Sequence, residues 1–119
     1  MMLTLDQLRA CAAGCVEIRE EAEGVFFDRM TPSLRQHFST SEAAVIRARC
    51  QTGIRLRFNS DTRSLNLAIR FGRAARAFRC VDLVVDGILR GTFSGQEDGK
   101  PCLLNLFSAP NAVMRSFEC

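Results

Sequence analysis

The stretch TGIRLRFNSDTRSLNLAIRF (residues 52–71) places an arginine at nearly every second or third position over a regular alternation of apolar residues. With a side-chain period of two, Ile54, Leu56 and Phe58 point to one face while Arg55 and Arg57 point to the other. Leu65, Leu67, Ile69 and Phe71 repeat the pattern opposite Asn66, Ala68 and Arg70, after a turn-forming Asn59-Ser60-Asp61-Thr62. One face is core and the other is wet, which defines two half-buried strands. Val81, Leu83 and Val85 alternate in the same way with Asp82 and Asp86. If these strands are neighbours, their outer face mixes Arg55, Arg57 and Arg70 with Asp82 and Asp86, and each opposed pair contributes about 0.2–1 kcal/mol. Such an array is the solvated half of a sheet, not a track for phosphate.

Outward from this stretch the chain reads as extended almost throughout. Strands are expected at 16–21 and 25–30, then at 43–50, 54–58, 65–71, 78–85, 88–93, 102–107 and 113–119. Asp86-Gly87 is a type I′ hairpin signal, and residues 72–76 and 96–101 form polar connections. Two helices interrupt the pattern. Thr4 caps a leading helix carrying Leu5, Leu8 and Ala12, with Gly14 as its stop, and Thr31-Pro32 opens a second of about two turns near residues 32–38. Many short strands with closely spaced turns define an all-β chain, a sandwich or a barrel.

Composition sets the frame for function. The chain has 119 residues, 47% apolar and 24% charged, enough for one folded domain spanning 1–119, with the leading helix in 1–14 and the sandwich in 16–119. No apolar run approaches the ~18 residues of a spanning helix, and the first residues lack the basic flank of a signal peptide, so a soluble, cytoplasmic chain away from membranes is expected. The six cysteines are accordingly expected to be reduced. Cys50, Cys80 and Cys102 lie in apolar runs as small core residues. Cys11 and Cys15 share the i, i+4 spacing of a helical metal pair but lack evident further ligands, and no cofactor or metal is expected. Charge is uneven: residues 1–46 carry net −3 and residues 47–90 net +7. That basic block makes a nucleic-acid reading worth testing.

Four segments carry a resemblance. EGVFFDRM (23–30) before a short helix, ARCQTGIRLRF (48–58), NSDTRSL (59–65) and VDLVVDG (81–87) resemble, in order and spacing, the N-terminal β-sandwich domain of a group of SGNH, or GDSL-type, esterases and acyltransferases. The resemblance covers the chain from about residue 16 onward. It implies a jelly-roll-like accessory domain of eight or nine short strands, similar in shape to carbohydrate-binding modules, packed beside a hydrolase domain whose substrate cleft it helps to wall. The Gly-Asp-Ser serine, its oxyanion partners and the Asp-x-x-His pair have no counterpart among these positions. The family pattern would continue beyond MRSFEC (114–119) into the hydrolase, so the implied partner is an SGNH catalytic domain, in the same chain or apart from it.

The residues themselves offer few sites. His37, the sole histidine, could join Ser60 and Asp61 as a nucleophilic triad, but Ser60 sits in a hairpin-like turn and not on a strand-turn-helix elbow. Asp82 and Asp86 share a strand face and could act as paired carboxylates, with salt bridges to Arg55 or Arg70 as the simpler reading. Gly91–Gly95 lacks the lysine and following helix of a phosphate loop. With nine phenylalanines and neither tryptophan nor tyrosine, mostly at inward positions, stacking platforms for bases or sugars are missing. The alternative to an accessory module is a stand-alone sandwich that binds protein or nucleic acid through its basic face. Arg55, Arg57, Arg70, Asp82, Asp86 and the loop residues Arg73, Arg76 and Phe78 mark the expected interaction surface. A last strand at 113–119 would also leave a sheet edge open to a second copy.

Overall fold

Residues 2–22, 24–51, 53–73, 79–95 and 99–119 are described by the computed structural model, in which the chain divides into two compact units, Met1–Leu56 and Arg57–Cys119. The first unit opens with α1 (Leu5–Cys11). Thr4 Oγ1 accepts from the Gln7 N–H at 3.2 Å while Gln7 Oε1 accepts from the Thr4 N–H at 2.8 Å, a reciprocal capping box that satisfies two orphan donors. The helix ends before Cys15, so Cys11 and Cys15 do not share a helical face. Next, β1 (Ala12–Ala13) pairs antiparallel with the start of β4 (Arg55–Ser60), Ala12 opposite Leu56 and Ala13 opposite Arg55. Gly14 follows with φ 81°, and a β-carbon there would collide with the Gly53 carbonyl oxygen.

The predicted pair of early strands forms a hairpin, β2 (Glu17–Glu21) with β3 (Gly24–Asp28), in an unbroken register from Glu17–Asp28 to Glu21–Gly24. Thr31 then caps α2 (Pro32–His37), its Oγ1 accepting from the Leu34 N–H at 3.3 Å with proline at the first helical turn, as the sequence indicates. Residues 43–50, expected as a strand, are instead α3 (Glu42–Arg49). Ser41 Oγ accepts from the Ala44 N–H at 3.1 Å, Glu42 lies in the first turn and Arg47 and Arg49 in the last, each matching the helix dipole. Its small apolar residues follow neither period, which is why alternation misreads it; Ala48 alone among its residues is buried.

The second unit holds the sandwich. The last four residues of β4 pair with β9 (Arg115–Glu118), which pairs in turn with β6 (Cys80–Val85), and β6 pairs with β7 (Ile88–Ser94). The other layer is β5 (Ser64–Arg70) with β8 (Pro101–Ser108). Thus β4 and β5 are not a hairpin: residues 61–63 carry the chain from one sheet to the other. Nor is the last strand an edge, because β9 has a neighbour on each side. Asp86 and Gly87 both take positive φ, 50° and 80°, in the expected turn between β6 and β7.

Leu83, Val85 and Phe117 from one layer and Leu104 and Leu106 from the other form the buried core, with Phe58, Leu65, Leu67 and Ile69 packed around it. Phe117 is fully buried, stacked on Phe58 with ring centroids 5.4 Å apart and edge-on to Phe107 at 5.1 Å. Between Leu65 and Asn66 the partner strand holds one extra residue, Leu106, so that both Leu106 and Phe107 reach the core. The inward set of β5 is the one read from the sequence. The molecule is therefore an all-β, sandwich-like protein, with three short helices among the described residues.

Candidate functional site

The outward arginines and aspartates do not meet as expected, because their strands are not neighbours in the assumed order. Arg57 pairs across to Glu118, Nε to Oε2 at 3.1 Å, the residue opposite it on β9. Arg70 lies on the other sheet and donates to the Gly99 carbonyl at 2.8 Å. Asp82 accepts from Thr92 Oγ1 at 2.6 Å, its register partner on β7. Asp86 is a bolt: Oδ1 accepts from the Ser116 N–H at 2.8 Å, and its own N–H donates to the Ser116 carbonyl at 2.9 Å, tying the hairpin tip to β9. Arg55 opens β4 and Arg73 follows β5, both exposed. Arg76 and Phe78 lie outside the described residues.

Of the imagined triad, His37 ends α2 with its ring edge-on to Phe38 at 5.3 Å, and Ser60 ends β4 with Oγ accepting from the Thr62 N–H at 3.1 Å. These are the contacts of a helix terminus and a turn. Cys80, read as a core residue, is exposed on the outward side of β6, whereas Cys102 packs against the core. None of the six cysteines is in a disulfide, and among the described residues no group of three or more His, Cys, Asp or Glu is placed to hold a metal ion. Among them too, no helix is long and apolar enough to cross a membrane.

The one buried charge among the described residues is Asp28, at the end of β3 and 1% exposed. Its Oδ2 takes Arg19 Nη1 at 2.6 Å and Arg35 Nη1 at 2.8 Å, while Oδ1 accepts from the Met30 N–H at 3.0 Å. Burial pushes this carboxyl up, but the Arg19 hydrogen bond, the Met30 N–H and the charges of Arg35 and Arg19 outweigh it, and its pKa lies below the ordinary value. Arg19 is held above its ordinary value, chiefly by its hydrogen bond to Asp28. Both Arg19 and Arg49 cover the Phe26 ring, at 4.9 and 4.2 Å, and each reaches a Glu21 oxygen, at 3.3 and 3.4 Å. This lattice joins β2, β3, α2 and α3 within the first unit. Sequence reading missed it. The available signal was a lone aspartate closing the apolar run VFF (25–27) beside a hairpin strand that carries one arginine.

Chemically, the lattice occupies both of its carboxylates, Asp28 and Glu21, with arginines. A carboxylate shared by two guanidiniums is a poor base, and among the described residues the partners of Asp28 are Arg19, Arg35 and the Met30 N–H, none of them a nucleophile. Two shallow clefts of about 320 and 270 Å³ adjoin α2 and α3. The larger is lined by Arg29, Met30, Phe38, Ala44, Arg47 and Ala48, without a carboxylate or imidazole. Arginines and apolar side chains can hold a partner; they do not form an acid–base pair.

Among solved structures the chain is similar to the salicylyl-acyltransferase SsfX3 from a tetracycline biosynthetic pathway, at 17% identity and a TM-score of 0.68. The likeness covers 90% of this chain and 31% of that one, so this chain spans about a third of the acyltransferase. At that identity it establishes the fold alone. No family model matches the chain, and no curated protein does.

Proposed function

We propose that the chain is a non-catalytic accessory module of an SGNH-type esterase or acyltransferase, a single domain that supports or walls the substrate cleft of a catalytic domain outside these residues. The observation that carries this reading is the proportion in the structural match: nearly all of this chain corresponds to less than a third of an acyltransferase. The segments GIRLRFNSDTRSL (53–65) and VDLVVDG (81–87) support it from the sequence side. The contacts of the candidate residues agree, since Asp82, Asp86, Ser60 and Asp28 each bond a neighbouring strand, turn or helix.

The purified chain, offered p-nitrophenyl acetate and butyrate, is expected to hydrolyse them no faster than buffer. Turnover that disappears on Ser60→Ala or His37→Ala would overturn the proposal. The same reading expects no salt-sensitive affinity for nucleic acid, checked by gel shift at low ionic strength, where a phosphate-binding face would bind most tightly.

A further inference from the structure

The geometry points to a two-fold symmetric dimer, formed by antiparallel pairing of β5 with β5 of a second copy. Among the described residues β5 pairs with β8 on one side and with no strand on the other. It runs seven residues, SLNLAIR, without proline, glycine or an extra residue, and its one charge, Arg70, stands at its end. The other outer strands are differently built: β8, whose one strand partner among the described residues is β5, opens at Pro101 and carries the extra residue Leu106, and β7 is guarded as well. Arg90 is an extra residue on β7, between the pairs Leu83–Gly91 and Val84–Leu89, and a bulge with a charge is a common guard on a sheet edge. β5 has no such guard.

The core also runs out at this strand. On β8, Leu104 and Leu106 are buried, whereas their neighbours on β5, Leu65, Leu67 and Ile69, are only half-buried. A further strand beyond β5 would complete their burial.

A second copy fits that position by register. Keeping the three apolar residues on one face requires that paired residue numbers sum to an even value. The register that uses all seven residues is centred on Leu67. It sets Leu65 against the other copy's Ile69, Leu67 against its own equivalent, Asn66 against Ala68 and Ser64 against Arg70. Apolar meets apolar on the inner face, and no like charges stand opposite one another. The contact uses the same patch on both copies and therefore closes at two. The result is one four-stranded sheet, β8-β5-β5-β8, with a continuous apolar side. This dimer does not depend on the proposed accessory role.

Sedimentation velocity of the purified chain over a concentration series tests it. The wild-type chain is expected to approach the mass of two chains. Asn66→Lys with Ala68→Lys, both on the exposed face, sets lysine against lysine twice across the axis and is expected to reduce the mass to one chain, with an unchanged far-UV circular dichroism spectrum. Asn66→Glu with Ala68→Lys alters the same positions but sets opposite charges across the axis, and is expected to restore the dimer. A wild-type chain that stays monomeric throughout, or a double-lysine variant that remains dimeric, would overturn the proposal.

Discussion

Asp28 shows how one residue can hold an element pair that has little apolar core of its own. Replacing it with alanine leaves Arg19 and Arg35 facing each other and strips the Met30 N–H of its acceptor. Both arginines keep partial access to water, so the expected loss is that of an unsatisfied buried group, about 1–3 kcal/mol, read from urea unfolding. The sign of the pH effect follows from the depressed pKa. The stabilisation is fully present above the unfolded carboxylate value of about 3.9 and is lost as pH falls through the lower folded value. Wild-type stability should therefore fall more steeply below about pH 4 than that of Asp28→Asn, which has no such carboxylate to protonate. Gly14 is the other sensitive position. Its positive φ and the Gly53 carbonyl leave no room for a β-carbon, and Gly14→Ala should cost about 1–3 kcal/mol, measured in the same way.

Between residue and fold, legibility depended on whether the signal was local. The Thr4 cap, the Thr31-Pro32 start and the Asp86-Gly87 turn were readable because the residues that satisfy the backbone are those that mark it in sequence. The inward faces of β4 and β5 were readable because period two needs no knowledge of neighbours. What failed needed such knowledge. Which strand lies beside which is set by packing across long separations, so Arg57 was matched with aspartates when its partner is Glu118 on the last strand. The lattice at Asp28 was missed for the same reason, since its arginines come from β2, α2 and α3. The α3 error was local: a run of alanine with valine and isoleucine carries little periodicity, and the Ser41 cap was the overlooked cue. Ser41→Ala should lower the helix's stability by about 1 kcal/mol, seen as faster amide exchange across residues 44–48. A strand at that position would be indifferent to the change.

At the scale of the sandwich, Phe117 joins the two sheets. It is fully enclosed, and its ring contacts Phe58 in its own layer and Phe107 in the other. Phe117→Ala should cost about 3–5 kcal/mol, a large part of the stability of a domain this size, measured by thermal or urea unfolding. The central place of β9 also has a temporal consequence. Its two partners, β4 and β6, are synthesised well before it, yet they are joined only through it. On the ribosome, β4 must therefore wait, with Phe58 uncovered, until residues 115–118 emerge to seat Phe117 beside it. Assembly of this sheet is a late, non-local event of the kind that folds slowly and exposes strand edges meanwhile. Chaperone demand during synthesis should rise between the emergence of β4 and that of β9, and fall once the last strand has inserted.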